Sequence, residues 1–272
     1  MVYDFHGDDR RQFDQQREVT ANHIIPFIEA QFPLKAGLRV LEIGCGEGGV
    51  LKAFLDKGLS GVGIEINPRR KERAVTFLAP ELRAGRVTLR TMDIYAADPA
   101  RDLGGPSDLV IMKDVIEHIP DQGRLLARLH AFLKPGGAVF IGFPPWQMPF
   151  GGHQQVSSNR LLARLPWFHL LPRFLYAGIL QAFGESESRI GELLEVKATG
   201  LSLGRLERLF KANGYGIAAR TLYLVNPIYR YKFGLKPRRQ LPVLRSIPYL
   251  RNFITTCGYY LIMPTTSGGH GD

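Results

Sequence analysis

The chain has 272 residues, 45% of them apolar and 22% charged, with a formal net charge of +10. That is room and material for a full buried α/β core in one domain spanning 1–272. No run approaches eighteen uninterrupted apolar residues, and the opening Met1-Val2-Tyr3-Asp4-Phe5-His6-Gly7-Asp8-Asp9 carries acids and no apolar centre, so neither a spanning helix nor a secretory signal is expected and a cytoplasmic location is.

After the polar leader, Ile24, Ile25, Phe27, Ile28 and Phe32 recur at helical spacing and predict a helix closing at Pro33. Val40, Leu41 and Ile43 read as a strand buried on both faces that runs into a glycine-rich turn, with a helix over about 48–57. A second strand is expected at 61–66, and Asn67-Pro68 starts the next helix. Val87 to Thr91 reads as the third strand, ending at Met92-Asp93, and 108–112 as the fourth. Leu125, Leu126, Leu129, Phe132 and Leu133 give a helix its core stripe, Lys134-Pro135-Gly136-Gly137 stops it, and 138–143 supplies a fifth strand. Strand and helix alternate as in a parallel, doubly wound α/β sheet.

The glycine turn admits two ligand classes. Gly44, Gly46 and Gly49 satisfy the dinucleotide spacing, with Glu65 about twenty residues on to hold a ribose. Glu42 favours the other class, because a carboxylate at the strand's end is awkward beside a pyrophosphate and suits a cationic amino group. Taken with the D-x-x-x-x-x-x-V-x-E-H segment from Asp108 to His118 and with Leu133-Lys134-Pro135-Gly136-Gly137, the pattern Glu42-x-Gly44-x-Gly46-x-Gly48 resembles the class I S-adenosylmethionine-dependent methyltransferases of small molecules, over about residues 20–143.

The resemblance implies a seven-stranded, mostly parallel Rossmann-like sheet with a terminal antiparallel hairpin, and S-adenosyl-L-methionine as cofactor. It places Glu42 near the amino end, Gly44, Cys45, Gly46 and Gly48 under the methionine and ribose, and Glu65 on both ribose hydroxyls with Ile66 beside it. Met92, Asp93 and Ile94 would flank the adenine, and Lys113 and Asp114 the methionine or the reacting centre. Replacing Glu65 should then weaken the cofactor and spare the fold. Each acid also has a structural use, as a cap or an orienting group. The sulfonium already activates the methyl, so positioning and desolvation leave few catalytic candidates, namely Asp114, His118 and His153.

Beyond the fifth strand, residues 144–200 are too long for a connection and hold Trp146, Phe150, His153, Trp167, Phe168, His169, Phe174 and Tyr176, so a folded lid over the acceptor is expected, with His153 facing it. A helix over 202–213 with Gly214 as its stop leads to the hairpin strands 215–225 and 258–262, separated by a second, basic and aromatic insertion, 226–253. Residues 265–272 are polar, glycine-rich and expected to be disordered. From Arg208 to Gly271 there are ten Lys and Arg and no acid, a local surface suited to anionic membrane, with a phosphorylated substrate or RNA as alternatives. Cys45 and Cys257 read as buried packing residues, and no metal ligand set is expected. The position after the fourth strand reads Lys113-Asp114-Val115-Ile116 and lacks an Asn/Asp-Pro-Pro-aromatic box, which disfavours DNA and side-chain amides. The expected acceptor is a small, apolar or lipid-like molecule, methylated on oxygen or carbon ahead of a free amine. The rivals are a nicotinamide-dependent oxidoreductase and a non-catalytic protein that binds S-adenosylmethionine or lipid.

Overall fold

Helix α1 (Asp9–Val19) opens the described part of the chain, residues 8–265 of the computed structural model. The readings of the acidic opening and of the glycine-rich end fall, apart from Asp8, Asp9 and Thr265, outside the described residues. α1 lies where only a polar leader was expected, because its sequence is polar except at the buried Phe13 and Val19; Asp8 caps it by accepting from the Arg11 N–H. One π-helical turn, Thr20–Ile24, joins it to α2 (Ile25–Glu29). Pro26 has no N–H to return to the ladder, which widens just before it.

Strands and helices then alternate as expected: β1 (Arg39–Ile43), α3 (Gly49–Asp56), β2 (Ser60–Glu65), α4 (Pro68–Phe77), α5 (Ala79–Arg83), β3 (Val87–Thr91), α6 (Pro99–Leu103), β4 (Ser107–Lys113), α7 (Gln122–Leu129) and β5 (Leu133–Phe143). Asn67 caps α4 with Pro68 at its first position. β5 starts earlier than expected, pairing Leu133 with Ser107 before skipping to Ala138 opposite Leu109, so Lys134-Pro135-Gly136-Gly137 is an irregularity within the strand. The 144–200 insertion carries α8 (Arg160–Arg164), α9 (Arg173–Ala182) and α10 (Glu187–Thr199), and α11 (Leu203–Ala212) leads into β6 (Tyr215–Val225). In the second insertion lie α12 (Ile228–Phe233), β7 (Arg238–Arg239), α13 (Pro242–Ser246) and α14 (Leu250–Phe253), and β8 (Cys257–Pro264) closes the sheet.

The sheet order is β3-β2-β1-β4-β5-β8-β6-β7, parallel through β5 and antiparallel from β8 onward. The seven expected strands are there, and the two-residue β7 adds an eighth at the edge. Chain order reverses between β1 and β4, which opens a crevice at the carboxyl ends of those strands.

Helices cover both faces. Leu125, Leu126 and Leu129 of α7 and Leu206 and Phe210 of α11 pack on one, and Phe13, Ile28, Leu51 and Phe54 from α1 to α3 on the other. The contact with α1 is close: a Cβ on Gly49 would meet the Phe13 carbonyl oxygen at 2.3 Å. The 144–200 insertion has its own core of Leu162, Phe168, Tyr176, Leu180 and Leu193. The second insertion is tied down at its far end, where Asn252 Oδ1 accepts from the Leu203 N–H at 2.9 Å and Arg251 pairs with Glu207.

Candidate functional site

The crevice is floored by the turn after β1. The Gly44 and Cys45 amides both donate to the Ile64 carbonyl, at 2.8 and 3.0 Å, which clips the turn to β2. Gly44, Gly46 and Gly48 all take positive φ, open to glycine and strained for other residues. Glu65, 4% exposed, accepts from the Gly46 N–H at 2.8 Å and the Asn67 N–H at 2.9 Å. Each of its oxygens keeps a lone pair for a further donor. Glu42 at the end of β1 is 3% exposed, and its Oε2 has no hydrogen-bond partner among the described residues. Burial pushes this carboxyl well above the usual range, against the Leu51 amide and the Lys113 ammonium. A cationic group arriving there would relieve that cost.

The other predicted cofactor residues are placed unevenly. Ile66 is 70% exposed beside the crevice, and the Met92 amide donates to the Glu65 carbonyl at 3.3 Å, so the ends of β2 and β3 adjoin. Asp93 accepts from the Tyr95 N–H at 2.9 Å in a local turn, while the Ile94 side chain packs into the core and leaves only its backbone toward a ligand. Cys45 and Cys257 are both free and buried.

At the end of β4, Lys113 is buried and its ammonium donates to the Asp114 carboxylate. Asp114 is a non-glycine residue with φ 55. Burial works to raise its carboxyl, but the Lys113 charge and hydrogen bond outweigh it, with Lys232 of α12 and His153 adding, and hold it below the usual range. Asp114 is itself exposed, and charges from the 144–200 insertion and from the second insertion both act on it.

Four residues further on, the short turn Ile116–His118 faces the 144–200 insertion. The rings of His118 and His153 lie 4.8 Å apart, edge to face, and both line a partly open cavity of about 270 Å³ whose other wall is Arg189, Glu192, Leu193, Glu195 and Val196 of α10. Desolvation lowers His153 to about 4, with His118 adding to the effect. The three catalytic candidates are thus brought into one neighbourhood.

Several residues in the site carry no signal by spacing. Arg70 makes a two-point contact with Glu47, at 3.0 and 3.0 Å, and its guanidinium lies across Gly46, 2.5 Å from where a Cβ would stand. Arg73 ties Glu47 to Asp9 at the start of α1. Glu117 is 4% exposed, and neither of its oxygens has a hydrogen-bond partner among the described residues.

Residues 13–184 match the family model described as a methyltransferase domain. An uncharacterized methyltransferase of Mycobacteroides abscessus is 33% identical over 124 residues, 45% of this chain and 46% of the relative. A ubiquinone biosynthesis O-methyltransferase of Pseudomonas aeruginosa is 35% identical over 106 residues, 39% of this chain and 44% of the relative. The chain thus spans under half the length of these curated relatives. Among solved structures, magnesium protoporphyrin IX methyltransferase from Synechocystis with bound SAH superposes with a TM-score of 0.54 at 17% identity, over 96% of this chain and 88% of that one. A plantazolicin methyltransferase in complex with SAH gives 0.53 at 13% identity, over 94% and 87%. At those identities the likeness is one of fold.

Proposed function

We propose, for a chain that belongs to the methyltransferase-domain family and is a class I S-adenosyl-L-methionine-dependent enzyme, that it methylates an oxygen of a small, apolar acceptor held beneath the 144–200 lid. The family match sets the nicotinamide reading aside. The observation that carries the proposal is that His153, whose charge acts on Asp114 at the end of β4, lines with His118 a cavity beside α10. In this reading Glu42 receives the cofactor's amino group, Glu65 its ribose hydroxyls and Ile66 its adenine, and Arg70 lies close enough to close over the turn. The acceptor oxygen attacks the methyl in line with the C–S bond. That bond breaks with its electron pair going to sulfur, and the site must relieve the oxygen of its proton. The name of the Pseudomonas aeruginosa relative, an O-methyltransferase of ubiquinone biosynthesis, supports oxygen over carbon.

The test uses methyl-labelled cofactor and two extracts, one of membrane lipids and one aqueous. Label should enter an apolar product as an O-methyl group, read by fragmentation in a mass spectrometer. Label confined to carbon, to amines or to phosphorylated metabolites would overturn the acceptor assignment, and no label at all from a chain that binds S-adenosylhomocysteine would favour a binding protein.

Peripheral contact with anionic membrane is the second part of the proposal. α13 has no buried residue, and Leu235, Leu241, Val243, Ile247, Tyr249 and Leu250 are all exposed, Val243 to 74%. Lys236, Arg238, Arg239 and Arg245 lie exposed among them. Apolar and aromatic side chains interleaved with cations favour a headgroup interface. No helix among the described residues is long and apolar enough to cross a membrane. Four charges at roughly 1 kcal/mol each give about a thousandfold in partitioning, which is peripheral and salt-sensitive. Sedimentation with anionic liposomes at low salt, fading near ~0.5 M salt as screening shortens, is the expected result; none at low salt would sink the idea.

A further inference from the structure

Glu117, His118 and His153 each offer a ligand atom, and the three atoms lie within 4.8 Å of one another. The group is assembled by the fold, since His153 comes from the lid and the other two from the turn after β4. Its two histidines line the cavity beside α10, and Glu117 is buried behind them. We infer that this cluster binds a divalent first-row transition cation, such as zinc, and that the cation holds the acceptor's oxygen.

Beyond the cluster itself, one independent observation points to a ligand. The Glu117 carboxyl is 4% exposed, with both oxygens unpartnered among the described residues. A buried carboxyl with neither oxygen satisfied costs on the order of a few kcal/mol unless a cation or a donor meets it. His153 has φ 57, a left-handed conformation uncommon for a non-glycine residue, and it directly follows Gly151 and Gly152. Its ring meets that of His118 edge to face. Two imidazoles and one carboxylate form a donor set that suits zinc, iron, cobalt or manganese over magnesium or calcium. Three ligands on one cation at bonds of about 2.0–2.2 Å stand roughly 3.0–3.5 Å apart, so the cluster must contract by about an ångström. His118 still meets solvent and is free to turn.

Three protein ligands leave a position open, as catalytic sites require. The consequence for catalysis rests on the proposed O-methyl transfer, whereas binding of the cation does not. An acceptor hydroxyl on the open position becomes more acidic and releases its proton to solvent. The resulting oxygen anion forms the O–CH3 bond as the C–S bond breaks toward sulfur, so charge and atoms balance with no further reactant.

The experiment takes the untagged full chain, strips it with a chelator and titrates it with Co2+, whose visible d–d bands report imidazole and carboxylate ligation. One saturable equivalent is expected, displaced by Zn2+. Glu117→Gln and His153→Ala should each weaken it by at least the roughly ten- to hundredfold that losing a supporting partner costs elsewhere. S-adenosylhomocysteine affinity should stay within a few-fold in both. His153 lies on a half-buried loop, so its variant serves even where Glu117→Gln fails to fold. Absence of a saturable band, or a band indifferent to His153→Ala, would overturn the site. Cobalt binding in a chain that ignores S-adenosylhomocysteine would leave the site standing and bring down the methyltransferase reading instead.

Discussion

Replacing Glu65 with Ala probes the cradle most directly, because this carboxylate has duties on both sides. Toward the protein it accepts from the Gly46 and Asn67 amides at 2.8 and 2.9 Å. Toward a ligand it offers the remaining lone pairs of two nearly buried oxygens. From the sequence the variant was expected to spare the fold, and the two amides argue otherwise. Hydrogen bonds to a charged group are worth roughly 1.5–3 kcal/mol each, and water at the turn can replace part of that, so about 2 kcal/mol of stability should go. For a chain of this size that is a fall of roughly 4–8 °C in Tm. Losing two charge-assisted bonds to ribose hydroxyls should in addition weaken S-adenosylhomocysteine on the order of a hundredfold or more. Glu65→Gln keeps one acceptor oxygen and should fall between. Titration calorimetry and thermal unfolding on the same samples separate the two effects. A lowered Tm with an unchanged Kd would refute the ribose role and reduce Glu65 to an anchor for the turn.

Glu42 should show its burial in the pH dependence of stability: its folded pKa lies above the ordinary 4.5, so its contribution is full below that pH and lost as pH rises toward the folded value. Glu42→Gln should flatten this part of the Tm against pH curve and weaken S-adenosylhomocysteine at least about tenfold by removing a charged partner; parallel curves would show that the carboxyl is not strained. Gly49→Ala drives a Cβ to within 2.3 Å of the Phe13 carbonyl oxygen, backbone that cannot swing aside, and should cost about 1–3 kcal/mol or more. A Tm within error of the parent would mean that α1 does not sit on α3 in solution. His169 is fully buried, with Nε2 2.8 Å from the Trp146 carbonyl oxygen and its other nitrogen facing the Gln154 amide at 3.3 Å. His169→Ala should open 144–200 to limited proteolysis and cut acceptor turnover while sparing S-adenosylhomocysteine affinity, and protease resistance equal to the parent's would refute it. Lys236, Arg238 and Arg239 changed together to Glu should abolish liposome sedimentation and leave turnover of a soluble acceptor alone; retained sedimentation would assign the binding to other residues.

The parts of the fold written in short-range patterns were legible in the sequence. Continuous β-branched and aliphatic runs marked strands that lie inside the sheet, and Asn67-Pro68 and the 202–213 stripe marked helices to within a residue or two. α1 was not legible because burial there depends on Phe13, Gln15 and Val19, too few to make a periodic stripe among charges. The site divides in the same way. The glycine turn and the acids ending β1 and β2 are local patterns, and the structure places them side by side. Glu117 and His153 are 36 positions apart in the chain and meet only because α10 folds the lid back against the turn after β4. Arg70 owes its place over Gly46 to Glu47, and no spacing rule reports a pairing of that kind.

The second insertion behaves as two parts, and the division bears on how an apolar acceptor would arrive. Its first helix, α12, is stitched to the N-terminal helix: the Gln15 side chain donates to the Tyr231 carbonyl at 3.1 Å and the Asn22 side chain to the Tyr231 hydroxyl at 3.0 Å. The Lys232 charge acts on the Lys113–Asp114 pair, so α12 lies within electrostatic reach of the end of β4. Burial stops before Phe233, which is 49% exposed and begins the exposed apolar stretch that continues at Leu235. A helix of six residues is only about 9 Å long. The proposed membrane face begins where the chain leaves α12. An apolar molecule leaving a bilayer for water pays about 0.8 kcal/mol per methylene, a penalty that removes most of it from solution after a few carbons. Docking through 235–250 would let such an acceptor move toward the lid without crossing bulk water, which gives the basic and apolar surface a use that charge alone does not explain.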